Sequence, residues 1–352
     1  MSEPVLKNTA SLRDAVDILE RSRRLIVAVT DETGVLIGVI SDGDVRRALL
    51  AGVALDAEVT KAMTASPIVG NASAGRDDIG HLMQTRGVAA LPLVDDRGRF
   101  VRVVTSFDFP SEERGWTGGE RFAAAVIMAG GEGRRLRPLT IDRPKPMIEI
   151  GGVPLLERQV RAMAKAGLRR IYISTNYLGH VIEDHFGDGS EFGVAIDYLR
   201  EDRKLGTAGA LSLLPDAPSG PILVINGDVL TTCDFGKLLD YHSEASAFIT
   251  VAAVIYRVEI PFGVLRIDSL HVRAIEEKPS EKFLCNAGMY VLDPAALSLV
   301  PSGEAFDMPD LIHRALGEGR EVAAFPIHEY WSDIGSPGDL DKAARAFSEK
   351  TP

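Results

Sequence analysis

Residues 10–44 of this chain match residues 74–108 without a gap, at an offset that carries Gly34 onto Gly98. The same shift carries Asp14 onto Asp78, Ile18 onto Leu82, Leu19 onto Met83, Val29 onto Leu93, Asp31 onto Asp95, Ser41 onto Thr105 and Asp44 onto Asp108. Such a repeat predicts one supersecondary unit used twice, since so small a unit buries its apolar face against a neighbour. Each copy reads as a helix with apolar positions at helical spacing (Leu12, Val16, Leu19), a β-rich run, an Asp-x-x-Gly turn and a second strand. Ser41-Asp42-Gly43-Asp44, or Thr105-Ser106-Phe107-Asp108, then opens a further helix.

With these residues in view, the region resembles a tandem pair of CBS domains, with copies at about 5–58 and 60–112. The resemblance implies an α+β module that binds a regulatory nucleotide, Ser41 with Asp44 and Thr105 with Asp108 reading its ribose. It also implies assembly into a homo-oligomer through the pair. A second reading makes the same four residues helix caps, for which Ser, Thr and Asp are equally suited. The copies differ at Gly38, where the second carries Arg102, a side chain that either blocks a nucleotide or meets its phosphate.

The 352 residues exceed a usual single domain. A polar, glycine-rich linker at 113–121 is expected to separate the repeat from a second domain at 122–352. That domain alternates strand and helix, which predicts an α/β fold with a Rossmann-like, mostly parallel sheet. Strands are expected at 123–128, 171–175, 195–199 and 222–225, and a helix at 155–166 ended by Gly167. Two strands therefore end at Gly130-Gly131-Glu132-Gly133 and at Asp228, the edge where open α/β sheets bind ligands.

A net charge of -11 argues against nucleic acid or an acidic membrane as partner. Arg134, Arg135, Arg137, Arg143 and Lys145 depart from that average and form a cationic cluster suited to a small polyanion. Two cysteines without CxxC spacing exclude a disulfide framework and a zinc site of that type. The start lacks a basic region followed by an apolar one, and no apolar run nears the ~20 residues of a membrane span, so a cytoplasmic location is expected.

In Met128-Ala129-Gly130-Gly131-Glu132-Gly133-Arg134-Arg135-Leu136, glycines free backbone N–H groups to face a phosphate, and arginine adds forked donors. A dinucleotide fingerprint would need glycine at Leu136, and a P-loop would need Gly-Lys-Ser/Thr. Pro144-Lys145-Pro146 restricts the backbone around Lys145.

Together the two segments resemble the signature of sugar-1-phosphate nucleotidyltransferases, and their union with a CBS pair resembles guanylyltransferases acting on mannose-1-phosphate or glucosamine-1-phosphate. The resemblance covers about 123–347, and Arg134 departs from it by replacing Ser/Thr. It implies transfer of a nucleotidyl group, GTP preferred, from a nucleoside triphosphate to a sugar-1-phosphate. Arg135, Lys145 and Lys278 would be catalytic, with Gly130, Gly131, Gly133, Arg134, Glu201, Gly206, Thr207 and Gly209 on the nucleotide. Gly263, Glu277, Asn286 and Gly288 would bind the sugar, and Asp228 and Asp333 would hold Mg²⁺. Gly206 and Gly209 are expected to let a planar base approach the backbone. The alternatives are a non-catalytic nucleotide-sugar sensor, or the same enzyme using UTP, dTTP or CTP.

Overall fold

The computed structural model describes residues 3–22, 24–86, 88–105, 108, 122–216 and 218–348. Two compact units, residues 1–118 and 119–352, make up the chain. The linker segment 113–121, apart from Phe122 onward, and the helix expected beyond Asp108 lie outside the described residues.

In the first unit the sequence repeat becomes a structural one. Strand Val5–Lys7, helix Leu12–Ser22 and the hairpin Ile26–Thr30/Leu36–Ser41 are followed by strand Gly70–Asn71, helix Arg76–Arg86 and the hairpin Ala90–Val94/Phe100–Thr105. Equivalent residues pair in both copies: Leu6 with Val29 and Gly70 with Leu93, then Val29 with Gly38 and Leu93 with Arg102. Asp31 Oδ1 accepts from the N–H groups of Thr33 and Val35, and Asp95 Oδ1 from those of Arg97 and Arg99. Each aspartate thus closes the turn that its glycine permits, Gly34 at φ +86° and Gly98 at φ +75°. The turns also bind each other. Leu36 N–H donates to Gly98 O and Phe100 N–H to Gly34 O, both at 3.0 Å, a reciprocal pair about a local two-fold.

The copies' difference at Gly38 has a packing cause. A Cβ on Gly38 would lie 2.7 Å from Met63 Sδ and 2.9 Å from Thr64 O, because strand Thr64–Ala65 pairs alongside. In the second copy Arg102 is exposed.

The second unit is built on a seven-stranded sheet in the order Ala195–Arg200, Arg170–Thr175, Ala124–Met128, Ile222–Asn226, Ser280–Leu292, Ile249–Glu259, Val322–Ile327. The first four run parallel, Ser280–Leu292 is antiparallel to both neighbours, and Ile249–Glu259 is parallel to Val322–Ile327. The adjacent strands Ala124–Met128 and Ile222–Asn226 are buried and almost wholly apolar because both faces are covered. Ala125 and Ile127 enter one core with helices Leu155–Lys165, Gly179–Phe186 and Phe235–Glu244. Ala124 and Val126 enter the other, against helix Met308–Gly317. Ala124–Met128 is the first of these strands in the chain, yet central; the connections leave it in opposite directions, which opens a crevice at its C-terminal end.

Gly38→Ala should lower stability by about 1–3 kcal/mol through overpacking. Thermal and denaturant unfolding of the full chain tests this, and an unchanged midpoint would contradict the packing account.

Candidate active site

The site begins where two parallel strands stop side by side. Met128 pairs with Asn226, and Gly227 N–H donates to Met128 O at 2.8 Å. A Cβ on Gly227 would fall 2.9 Å from that same oxygen, so glycine lets the two strand ends close together. The glycine-rich loop leaves one end and Asp228 follows the other.

Gly133 turns the loop at φ +60°, and a Cβ there would lie 2.8 Å from Lys145 Cβ and 3.0 Å from Thr140 Cγ2. The lysine stem is therefore packed on the glycine loop itself. Thr140 Oγ1 donates to Gly133 O at 2.9 Å, and Met147 N–H to Pro144 O at 2.9 Å, so both segments are fixed locally. Lys145 is 8% exposed. Its ammonium reaches Asp228 Oδ2 at 2.5 Å and Asp333 Oδ1 at 3.8 Å.

The two carboxylates are neighbours because strand Val229–Thr231 pairs antiparallel with Trp331–Asp333, and Ile334 N–H donates to Asp228 O. Partial burial pushes the Asp333 carboxyl above its ordinary pKa, and the charge of Asp228 pushes the same way, against Lys145 and Arg135. Arg135 lies over Gly335, where a Cβ would stand 3.5 Å from its Nη2. Gly131, Gly133, Arg134, Arg135, Leu136, Lys145, Asp228 and Gly335 line one pocket.

Glu201 lies against the start of the glycine-rich loop. Its Oε2 accepts from Leu205 N–H at 2.9 Å, and a Cβ on Gly130 would meet its Oε1 at 2.9 Å. Burial raises its pKa, while the bonds from Leu205 and Ser174 lower it.

The glycines after Leu205 have a different reason from the one expected. A Cβ on Gly206 would meet Asp307 Oδ1 at 2.6 Å and Phe306 O at 2.7 Å, and one on Gly209 would meet Glu304 O at 2.7 Å. The space that would have admitted a base beside their Cα atoms is filled by residues 304–307. Thr207 is likewise engaged: its N–H and hydroxyl donate to Asp307 Oδ1, and the hydroxyl accepts from Met308 N–H at the start of helix Met308–Gly317.

None of the sugar candidates is among the residues lining that pocket, although Gly288 packs against Asn226 and Val229 on either side of Asp228. Gly263, Glu277 and Lys278 flank an exposed two-stranded ribbon, Val264–Asp268 with His271–Glu276. Lys278 is exposed and holds φ +47°, an unfavourable backbone state for a residue with a Cβ. Asn286 is oriented by Gly288 N–H, which donates to its Oδ1, and by its own Nδ2, which donates to Tyr290 Oη. Gly288, at φ +69°, makes room for Asn226, whose Nδ2 would be 2.7 Å from a Cβ there.

In the first unit, Ser41 and Asp44 form a capping box on helix Asp42–Leu50. Asp44 Oδ2 accepts from Ser41 N–H and Oγ, and Oδ1 from Arg47 and Thr64. Asp108 Oδ2 accepts from Thr105 N–H and Oγ1 and from Arg24 Nη1 at 2.6 Å.

Sequence reasoning passed over Glu132, Lys204, Gly335 and Asp307. Gly335 stood in the same Trp331-Ser332-Asp333-Ile334-Gly335 run as Asp333, and Glu132 in the glycine-rich loop itself; Lys204 and Asp307 are joined to the site through segments distant in the chain.

Residues 124–350, well over half of the chain, match the family described as Nucleotidyl transferase, and residues 1–51 match the CBS domain. The chain belongs to the nucleotidyl transferase family, with a CBS domain at its N-terminal end. Among its relatives is the mannose-1-phosphate guanylyltransferase of Mycobacterium tuberculosis, 34% identical over 226 residues that cover 61% of this chain and 62% of the relative. The mannose-1-phosphate guanyltransferase of Saccharomyces cerevisiae is 33% identical over 229 residues, with 61% and 62% covered. This chain thus spans less than two thirds of the length of these curated relatives. Among solved structures, a putative glucose-1-phosphate thymidylyltransferase from Bacillus anthracis is similar at TM-score 0.53 and 26% identity, over 65% of this chain and 96% of that one. HddC from Yersinia pseudotuberculosis, solved also with GMP-PN, is similar at TM-score 0.51 and 29% identity, over 64% and 99%. No helix among the described residues is long and apolar enough to cross a membrane.

Because the pKa of Glu201 is raised on folding, its contribution to stability is largest below the unfolded value near 4.5 and is lost as pH rises through the folded value. Glu201→Gln should remove that loss while keeping an oxygen for Leu205 N–H. Melting temperatures of both proteins from pH 4 upward test this; parallel curves would contradict it.

Proposed function

We propose that the second unit transfers a nucleotidyl group, preferentially from GTP, to a hexose-1-phosphate such as mannose-1-phosphate or glucosamine-1-phosphate. The observation that carries the reading is Lys145, packed on the glycine-rich loop with its ammonium against two carboxylates at the strand ends. A lone lysine on a solvated turn would need neither the glycine nor the carboxylates. The names of the curated relatives, both guanylyl transferases of mannose-1-phosphate, support the choice of base and sugar.

In the reaction a sugar-phosphate oxygen attacks the α-phosphorus in line, forming the new O–P bond while the bond to the β-phosphate oxygen breaks and pyrophosphate leaves. No general base is required, since the attacking phosphate is already an anion. Loop N–H groups and Arg135 hold the triphosphate and offset charge passing to the pyrophosphate. Lys145 neutralises the region where the two anions meet, and Lys278 holds the sugar phosphate. Positioning and charge neutralisation supply most of the rate in such transfers.

Asp228 and Asp333 suit a divalent cation, because paired carboxylates on adjacent strands, one with a raised pKa, gain from a positive charge between them. Bound there, Mg²⁺ would neutralise phosphate oxygens and order them for displacement.

The first unit is read as a regulatory nucleotide module. Internal donors engage both oxygens of Asp44, whereas the bonds to Asp108 from Thr105 and Arg24 fall on Oδ2, so Asp108 is taken as the better reader of a ribose. Calorimetric titration of the full chain with adenine and guanine nucleotides, under conditions where the second unit is saturated, should give additional heat that Asp108→Ala abolishes. No additional heat from any of them would refute this module's role.

A matrix of GTP, UTP, dTTP, CTP and ATP against common hexose-1-phosphates, read by pyrophosphate release, tests the main reaction. Lys145→Ala should lower turnover at least about a hundredfold, and release by no substrate pair would favour a sensor. Lys278→Gly should likewise lower turnover while raising stability by about 1 kcal/mol, since glycine relieves the positive φ.

A further inference from the structure

The phosphate-binding loop contains its own anion. Glu132 sits between Gly131 and Gly133, and both of its oxygens are held: Oε2 accepts from Arg134 Nε at 2.6 Å, and Oε1 pairs with the Lys204 ammonium. Arg134 belongs to the same loop, but Lys204 comes from the segment between strand Ala195–Arg200 and Gly206. The ion triad therefore ties two loops together across the chain.

The carboxylate is the covered partner. Its side chain is 19% exposed, against 72% for Arg134 and 59% for Lys204. These two cations hold the Glu132 carboxyl at about 2, well below its usual range. Lower in the site the two loops are already positioned by Glu201, which lies against Gly130 and binds Leu205 N–H next to Lys204. Glu132 is thus not the sole tie between the loops. What Glu132 adds is a negative charge in a loop whose backbone suits phosphate, placed between Arg134, which lines the pocket, and Lys204 from the facing loop.

We infer that Glu132 is an internal competitor of the polyphosphate: triphosphate or pyrophosphate takes Arg134 and Lys204 from it on binding, and Glu132 recaptures them as pyrophosphate leaves. The inference rests on the nucleotidyl-transfer reading of this pocket and adds to it a residue that weakens product retention. A carboxylate beside a bound polyanion is repulsive, so its removal raises affinity, whereas a carboxylate that merely ordered the loop would lower affinity when removed. Exchanging one ion pair for another also blunts the effect of salt, since attraction is lost and gained together.

The test is calorimetric titration of the full chain with inorganic pyrophosphate in magnesium buffer, for the wild type, Glu132→Gln and Lys204→Met, at several salt concentrations. Glu132→Gln is expected to bind pyrophosphate about tenfold more tightly, with a steeper dependence on salt than wild type. Lys204→Met is expected to bind more weakly than wild type. If the wild type binds and Glu132→Gln binds equally or more weakly, Glu132 is no competitor and the inference fails while the reading of the pocket stands. If none of the three proteins binds pyrophosphate and none releases it in the substrate matrix, the reading of the pocket fails and the inference with it.

Discussion

The contact on which the second unit's candidate site is built is the one between the Lys145 ammonium and Asp228. A buried lysine is costly unless paired, and this one is almost fully enclosed. The pairing fixes three pieces of chain relative to one another: the Pro144-Lys145-Pro146 turn, the end of strand Ile222–Asn226, and, through the Val229–Thr231 ladder, Trp331–Asp333. The glycine-rich loop joins as a fourth, since Gly133 must stay small for the lysine stem to pass. In the proposed transfer, a phosphate on that loop would meet a charged constellation whose parts are already positioned, leaving little reorganisation.

The parallel sheet was legible because its strands are short, carry apolar residues and are separated by helical spacing. The observed strands Arg170–Thr175, Ala195–Arg200 and Ile222–Asn226 lie within a residue of the expected ones. The phosphate loop and Lys145 were legible for a related reason: glycine and proline leave direct marks of backbone geometry. The sharing of carboxylates was not, because Asp228 and Asp333 are brought together by a three-residue ladder that composition does not announce.

Gly206 and Gly209 teach the opposite lesson. A glycine demands close approach, but sequence alone does not say by what. Here the approaching group is the protein's own segment 304–307, which also claims the Thr207 hydroxyl. Glu132 and Lys204 were opaque for a comparable reason, since charged residues in loops carry no spacing rule, and their pairing exists only once two loops face each other. The ribbon at 264–276 shows a further limit. The exposure of Leu265, Ile267, Val272 and Ile275 together is a property of where the hairpin points.

The reciprocal bonds between the Gly34 and Gly98 turns separate what duplication must preserve from what it may alter. They use main-chain atoms alone, so the dyad of the first unit is indifferent to most side-chain changes. Gly38 and Arg102, or the partners of Asp44 and Asp108, have diverged on a backbone frame that remains even. The unit is a symmetrical body carrying two unequal faces, and a small molecule meeting it would encounter two different surfaces, not one surface twice.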